Sequence, residues 1–161
     1  IGWLVGPKEL IKRLWRRHEY LTLSTAKLSN HFLAPLALRR DVRKEIFERT
    51  RDYIRRGWDN FEPWIRENDD LLSLVPPQAT AISFIRYNLN TDSVTLAHRL
   101  IQEASVLVGP GDYFGAPKHL RVSYGLPPDF LNEGLKRISN LLRKVAKEET
   151  STGVEHKGTV G

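Results

Sequence analysis

The chain has 161 residues, of which 40% are hydrophobic and 27% are charged, a composition typical of a soluble globular protein with one core. Cysteine is absent, which excludes disulfides and thiolate metal sites, and we predict no metal site. No apolar run approaches the roughly 18 residues that a membrane-spanning helix needs, and residues 1–6 lack the features of a secretory leader. We therefore expect a cytoplasmic protein without a membrane partner.

The net charge of +6 raises the question of nucleic-acid binding. The basic residues alternate along predicted helices with acidic ones such as Glu45, Glu48 and Asp52. Mixed charge along a helix is typical of a solvated face, whereas a nucleic-acid site favours clusters of one sign with aromatic platforms. We therefore predict no nucleic-acid partner. A basic nucleic-acid-binding module is the alternative, and it depends on the net charge alone.

Hydrophobic periodicity predicts mostly helix in the first part of the chain. The elements are a strand over 1–5 that ends at Gly6-Pro7, a helix from Lys8, a loop over 20–29, a short helix over 30–38 and a long helix over 41–68. Pro63 is expected to kink or end the long helix unless it lies in the first turn of a new helical segment, because proline cannot donate the backbone hydrogen bond of a helix interior.

The period changes after Asp69-Asp70. The predicted elements are strands over 71–75 and 81–87, a helix capped by Asp92 or Ser93, strands over 105–108 and 118–124, and a last helix opened by Pro127-Pro128-Asp129. Residues 148–161 have no period and are predicted to be a disordered tail or a remnant of cloning. This order favours an α+β fold (an open α/β layer) in which helices cover a small mixed or antiparallel sheet.

One candidate site lies in the last predicted strand. His119, Arg121 and Ser123 share one face, because successive side chains of a strand point to opposite sides. A guanidinium beside a hydroxyl suits bidentate binding of a carboxylate. The ordinary alternative is a surface ion pair.

A second candidate is the loop at residues 108–115, which contains three glycines, a proline and the aromatic residues Tyr113 and Phe114. A plain connecting loop is the default, since glycine and proline occur in turns of every kind. Two aromatic side chains in such a loop could also wall a substrate pocket.

The order of several short motifs along the chain indicates a family. Ile1-Gly2-Trp3, a helix-rich stretch, Val-Pro-Pro-Gln at 75–78, Pro-Gly-Asp-Tyr-Phe-Gly at 110–115 and Leu-Arg-Val-Ser-Tyr-Gly at 120–125 follow one another. This succession resembles the fold type I aminotransferases of class I/II, which use pyridoxal 5'-phosphate. The resemblance covers residues 1–147, and the two last blocks are its specific part.

The resemblance implies roles for particular residues. Arg121 matches the arginine that binds the substrate's α-carboxylate, and Tyr113 and Phe114 match the loop that closes over the substrate side chain. Ser24 and Thr25 fall where family members approach the active site, so they are further candidates for contact with the cofactor. The resemblance implies amino-acid and 2-oxo-acid substrates and a homodimer.

The resemblance also implies that the cofactor lysine and the phosphate-binding arginine precede residue 1, where the chain begins without methionine. We therefore expect a cut fragment: residues 1–147 form the C-terminal small domain, with the end of the large domain at 1–40. Alone, it is expected to bind no pyridoxal phosphate and to catalyse no reaction. A non-catalytic binding or scaffold domain of the same fold is the alternative.

Overall fold

The computed structural model describes residues 2–22 and 24–155 of the chain. Two compact units are formed, residues 1–50 and residues 51–161. Within the described ranges, no helix combines the length and the low polarity that a membrane span requires.

The first unit is helical, as predicted. It contains α1 (Lys8–Leu21), a π-helical stretch (Ser29–Leu33) that leads into α2 (Ala34–Leu38), and the beginning of α3 (Arg40–Glu67). The strand predicted over 1–5 is wrong for residues 2–5, which are irregular, and Ile1 lies outside the described residues. A strand needs a hydrogen-bonded partner, and no other strand occurs among the described residues of this unit.

The second unit is built on a four-stranded sheet. Its strands are β1 (Leu72–Leu74), β2 (Ile82–Tyr87), β3 (Gly109–Pro110) and β4 (His119–Ser123). They lie in the order β1-β2-β4-β3, and every neighbouring pair is antiparallel. Two α-helices belong wholly to the described part of this unit, α4 (Ser93–Ala104) and α5 (Pro128–Glu155). The α+β fold expected from the sequence is confirmed, and of the two sheet types considered the antiparallel one is present.

The strand predicted over 105–108 is displaced toward the C-terminus. Ser105 adopts a left-handed conformation with φ of 54° and caps the end of α4. The N–H of Val106 then donates to the carbonyl oxygen of Leu100 at 3.0 Å. These residues therefore terminate a helix, and pairing with β4 begins only at Gly109, which lies opposite Arg121.

The two faces of the sheet have different environments. One face packs on the helices: Ile85, Tyr87, Leu120 and Val122 are buried, together with core residues of the helices such as Phe61, Leu96, Leu100 and Leu142. The other face, here called the exposed sheet face, carries Phe84, Arg86, His119, Arg121 and Ser123, all of them exposed or half-buried. The alternation predicted for the last strand is confirmed, because Leu120 and Val122 are buried and Arg121 and Ser123 are not.

Helix α4 begins at the capping residue that the sequence indicated. The Oδ1 atom of Asp92 accepts hydrogen bonds from the backbone N–H groups of Val94 (3.0 Å) and Thr95 (2.9 Å). Hydrogen bonding, above all from Thr95, holds the pKa of the Asp92 carboxyl below its ordinary value. We expect Asp92→Ala to lower the free energy of unfolding by about 1 kcal/mol, measured by urea titration.

A matched control for this variant is Asp129→Ala. Asp129 is an exposed carboxylate in the first turn of α5, so only its interaction with the helix dipole is lost, about 0.5 kcal/mol or less. Equal losses in both variants would show that the Asp92 cap contributes nothing of its own.

Helix α5 is longer than predicted. It continues through residues 148–155, where the sequence pattern predicted a disordered tail, and residues 156–161 lie outside the described residues. The Glu149 carboxylate accepts hydrogen bonds from the backbone N–H groups of Asn90 and Thr91, each at 2.9 Å. Such tertiary hydrogen bonds can hold a polar helix that has no apolar stripe, and periodicity alone does not reveal them.

Candidate functional site: Arg121 and the aromatic loop

Arg121 lies in the middle of the exposed sheet face. In the register of the sheet it is flanked by Phe84 on β2 and by Gly109 on β3. Its side chain is half-buried, and no hydrogen bond or ion pair joins its guanidinium to any described residue. By contrast, Arg99 and Arg143 are both paired with carboxylates. The N–H donors of Arg121 are therefore available to a ligand.

Phe114 lies beside this guanidinium. The Cζ atom of Arg121 is 5.5 Å from the centroid of the Phe114 ring, a cation–π distance. Gly109 makes room for the ring: a Cβ atom there would lie 3.1 Å from the Cβ of Arg121 and 3.5 Å from Cε2 of Phe114. The glycine therefore lets Phe114 approach the strand that carries Arg121.

The loop that carries Phe114 is tied to the start of α4. The carboxylate of Asp112 accepts hydrogen bonds from the backbone N–H and the hydroxyl of Ser93, and the Asp112 N–H donates to Ser93 Oγ at 3.0 Å. At Gly111 the backbone is so closely packed that a Cβ atom would lie 2.1 Å from the carbonyl oxygen of Ala116. This region is therefore held by a buried serine and by a position that only glycine can occupy.

The segment before α4 is held from two sides. The Lys118 ammonium donates to the carbonyl oxygens of Leu89 (2.8 Å), Asn90 and Thr91 (3.2 Å), and Glu149 binds N–H groups of the same segment. The Tyr87 hydroxyl also donates to Thr91, and burial raises the pKa of Tyr87 well above its ordinary value, with a further contribution from nearby carboxylates. These contacts fix the backbone just before Ser93, and because Ser93 binds Asp112, they also fix the position of Asp112.

The structure brings together some of the predicted site residues but not others. Arg121 and Phe114 are adjacent, whereas the ring of Tyr113 is 70% exposed and makes no aromatic contact with a described residue. Ser24 and Thr25 are exposed residues of the first unit, in an irregular segment before the π-helical stretch.

Sequence reasoning did not single out Phe84. Its ring meets that of Phe114 edge-on, with the centroids 5.5 Å apart and the planes at 86°. The available signal was an aromatic residue at an outward position of an alternating strand. Ser93 and Asp112 were likewise not recognised as a pair, since 19 residues separate them in the sequence.

Lys118 is the lysine whose surroundings bear on the attachment of an aldehyde cofactor. Lys118 alone among the lysines of the described ranges is not exposed, and its ammonium is engaged by three backbone carbonyls. A lysine that forms a Schiff base needs a free, deprotonated amine. Lys118 does not fit that role. The described residues also contain no group of three or more side chains suited to a metal ion.

Comparison with known proteins identifies the family. A family model described as "Aminotransferase class I and II" matches residues 1–138. The chain belongs to this aminotransferase family.

Two curated relatives come from streptomycetes. The chain is 32% identical over 151 residues to an aspartate aminotransferase of Streptomyces avermitilis, and 30% identical over 142 residues to a capreomycidine synthase of Streptomyces vinaceus. Each match covers 88% of this chain and 36% of the relative. The chain thus spans little more than a third of the length of the relatives that it matches.

Solved aminotransferase structures show the same arrangement. A PLP-dependent aminotransferase from Streptococcus suis superposes with a TM-score of 0.77 at 25% identity, over 89% of this chain and 37% of the other. An engineered aspartate aminotransferase of Thermus thermophilus gives a TM-score of 0.73 at 26% identity, over 84% and 37%. The expected aminotransferase fold is confirmed.

Proposed function

We propose that this chain is the C-terminal, small-domain part of a pyridoxal-phosphate-dependent amino-acid aminotransferase, with residues 1–40 as the end of the large domain. In this proposal Arg121 binds the α-carboxylate of the substrate. The observation that carries it is the guanidinium of Arg121, which is half-buried beside the Phe114 ring and has no hydrogen-bond or ion-pair partner among the described residues.

The chemistry of the guanidinium supports a carboxylate ligand. Its planar fork can donate two parallel N–H···O bonds, which fix both the position and the orientation of a carboxylate. The Phe114 ring, 5.5 Å from Cζ, limits the directions that the guanidinium can take. A carboxylate bound here is therefore oriented by the protein, and such orientation lowers the entropic part of a reaction barrier.

The loop at 111–114 is proposed to close over the substrate. Tyr113 and Phe114 are 70% and 55% exposed, so both rings have surface left to cover a ligand. The Asp112–Ser93 hydrogen bonds fix one end of this loop to α4. The two rings can then change their side-chain conformations over a ligand while the backbone at Asp112 stays in place.

The cofactor is proposed to act elsewhere in the enzyme. Because the ammonium of Lys118 is engaged by backbone carbonyls and the resemblance places the cofactor lysine before residue 1, we assign to these residues only the binding and orientation of the substrate. Ser24 and Thr25 are candidates for contact with the cofactor. Amino-acid and 2-oxo-acid substrates, assembly as a homodimer and a cytoplasmic location complete the proposal.

The carboxylate site can be tested on the chain itself by NMR. Titration with butyrate should shift the Nε–H resonance of Arg121 saturably, with a dissociation constant on the order of 10 mM, since one bidentate contact carries the binding. The resonance is assigned by its loss in Arg121→Lys, and sodium chloride at equal ionic strength is the control. An Arg121 resonance that responds equally to chloride would reject the site and favour the scaffold alternative.

A further inference from the structure

Phe84 and Phe114 form an aromatic pair on the exposed sheet face. Their rings meet edge-on at 5.5 Å, and the side chains are 37% and 55% exposed. The two rings therefore contact each other, but part of each ring remains exposed to solvent. Each exposed ring leaves apolar surface in water, and a ligand that covers it gains the corresponding transfer free energy.

The aromatic pair shares its position with Arg121. Phe84 is the cross-strand neighbour of Arg121, and the Phe114 ring lies 5.5 Å from the guanidinium carbon. Cross-strand neighbours have their Cβ atoms about 5 Å apart. A ligand whose carboxylate meets Arg121 thus places the atoms beyond that carboxylate next to the two rings. An aromatic group there can take the offset or edge-on arrangement that ring pairs prefer.

The charges around the site do not favour a second carboxylate. The other arginine of the exposed sheet face, Arg86, lies one row further along, opposite His119. It lines a depression of about 270 Å³ together with Asp69 and Asp70, whose negative charges oppose a second anion. Lys118 is engaged with backbone carbonyls. No other described cation shares the row of Phe84, Arg121 and Gly109. Arg137 lines the same cavity of about 780 Å³ as Arg121, but its charge is paired with the Glu133 carboxylate at 2.7 Å.

We propose that Phe84 and Phe114 form an aromatic wall beside Arg121 that selects substrates with an aromatic side chain over dicarboxylic ones. The substrate class is then aromatic amino acids and the matching 2-oxo acids. This inference rests on the proposed binding of a carboxylate by Arg121. Phe84 acts as a specificity residue, because it forms part of the wall that meets the substrate side chain and does not bind the carboxylate.

Competing ligands distinguish a preference for aromatic substrates from a preference for dicarboxylic ones. The chain is titrated with 3-phenylpropionate, glutarate and butyrate, and the shift of the Arg121 Nε–H resonance is followed. We expect 3-phenylpropionate to bind about fivefold tighter than butyrate, since one aromatic contact is worth about 1 kcal/mol. Glutarate should bind no tighter than butyrate once its two equivalent carboxylates are allowed for.

Variants of Phe84 test whether the aromatic wall causes the preference for the aromatic ligand. Phe84→Leu should reduce the fivefold ratio of phenylpropionate to butyrate affinity to below twofold, whereas Phe84→Tyr should retain the ratio. Phe47→Leu is the matched control, because Phe47 is an exposed phenylalanine (51%) of the first unit. Amide spectra and circular dichroism verify that each variant is folded.

Each outcome has a separate meaning. If no carboxylate shifts Arg121, the proposed function fails and the inference fails with it. If all three ligands bind at Arg121 and glutarate is the tightest, or if Phe84→Leu leaves the ratio at fivefold, the carboxylate site stands and the aromatic selection is wrong.

Discussion

Replacing Arg121 with lysine is expected to lower kcat/KM for amino donors about 100-fold in the aminotransferase of which we propose this chain to be a part. Lysine retains the positive charge but lacks the planar fork, so one of two charge-assisted hydrogen bonds and the fixed orientation of the carboxylate are lost. A 100-fold change corresponds to about 2.7 kcal/mol of transition-state stabilisation. Because Arg121 has no ion pair within the described part of the chain, the stability of the protein should change little.

Arg86→Lys is the control for this experiment. Arg86 lies on the same exposed sheet face, but in the next row and beside Asp69 and Asp70. We expect its kcat/KM to stay within about twofold of the parent value, since removing a contact that is not made to the substrate leaves the barrier unchanged. Steady-state kinetics with several amino donors make the comparison. An unchanged kcat/KM in Arg121→Lys would remove Arg121 from the substrate site.

Gly57→Ala is expected to destabilise the second unit by about 3 kcal/mol, although alanine favours helices. Gly57 is a buried residue within α3, and a Cβ atom there would lie 1.9 Å from the carbonyl oxygen of Tyr124. Tyr124 cannot easily move, because its ring stacks on Phe61 at 5.1 Å and its hydroxyl donates to Thr80 at 2.7 Å. The clash therefore forces α3 and the end of β4 apart, and overpacking of this kind exceeds the helix-propensity gain of about 1 kcal/mol.

The matched control is Gly134→Ala in α5, where nothing lies within 4 Å of the new Cβ atom. Here only the helix propensity acts, so the free energy of unfolding should rise by about 0.8 kcal/mol. Urea titrations should show a lower free energy of unfolding for Gly57→Ala and a higher one for Gly134→Ala. A gain of stability in Gly57→Ala would mean that α3 does not approach β4 as closely as the structure has it.

The local elements were predicted well where each depends on its own residues. The apolar spacing of α1, α3 and α5, the Asp92 cap and the alternation of β4 each follow from interactions within one element. The predictions failed where a segment depends on distant partners. Residues 2–5 have no partner strand among the described residues of their unit, residues 105–108 terminate a helix, and residues 148–155 remain helical.

The residues of the candidate site likewise divide into those that a local sequence pattern indicates and those that only the fold brings together. The sequence by itself determined the family through two short blocks, and it indicated Arg121, Tyr113 and Phe114, because a strand's alternation and a glycine-rich loop are local features. Only the tertiary structure decided that Phe114, and not Tyr113, lies against the guanidinium, and that Phe84 completes the aromatic pair. Strand register and the close approach at Gly109 set these contacts. Both arise from the packing of residues far apart in the chain, which no local pattern encodes.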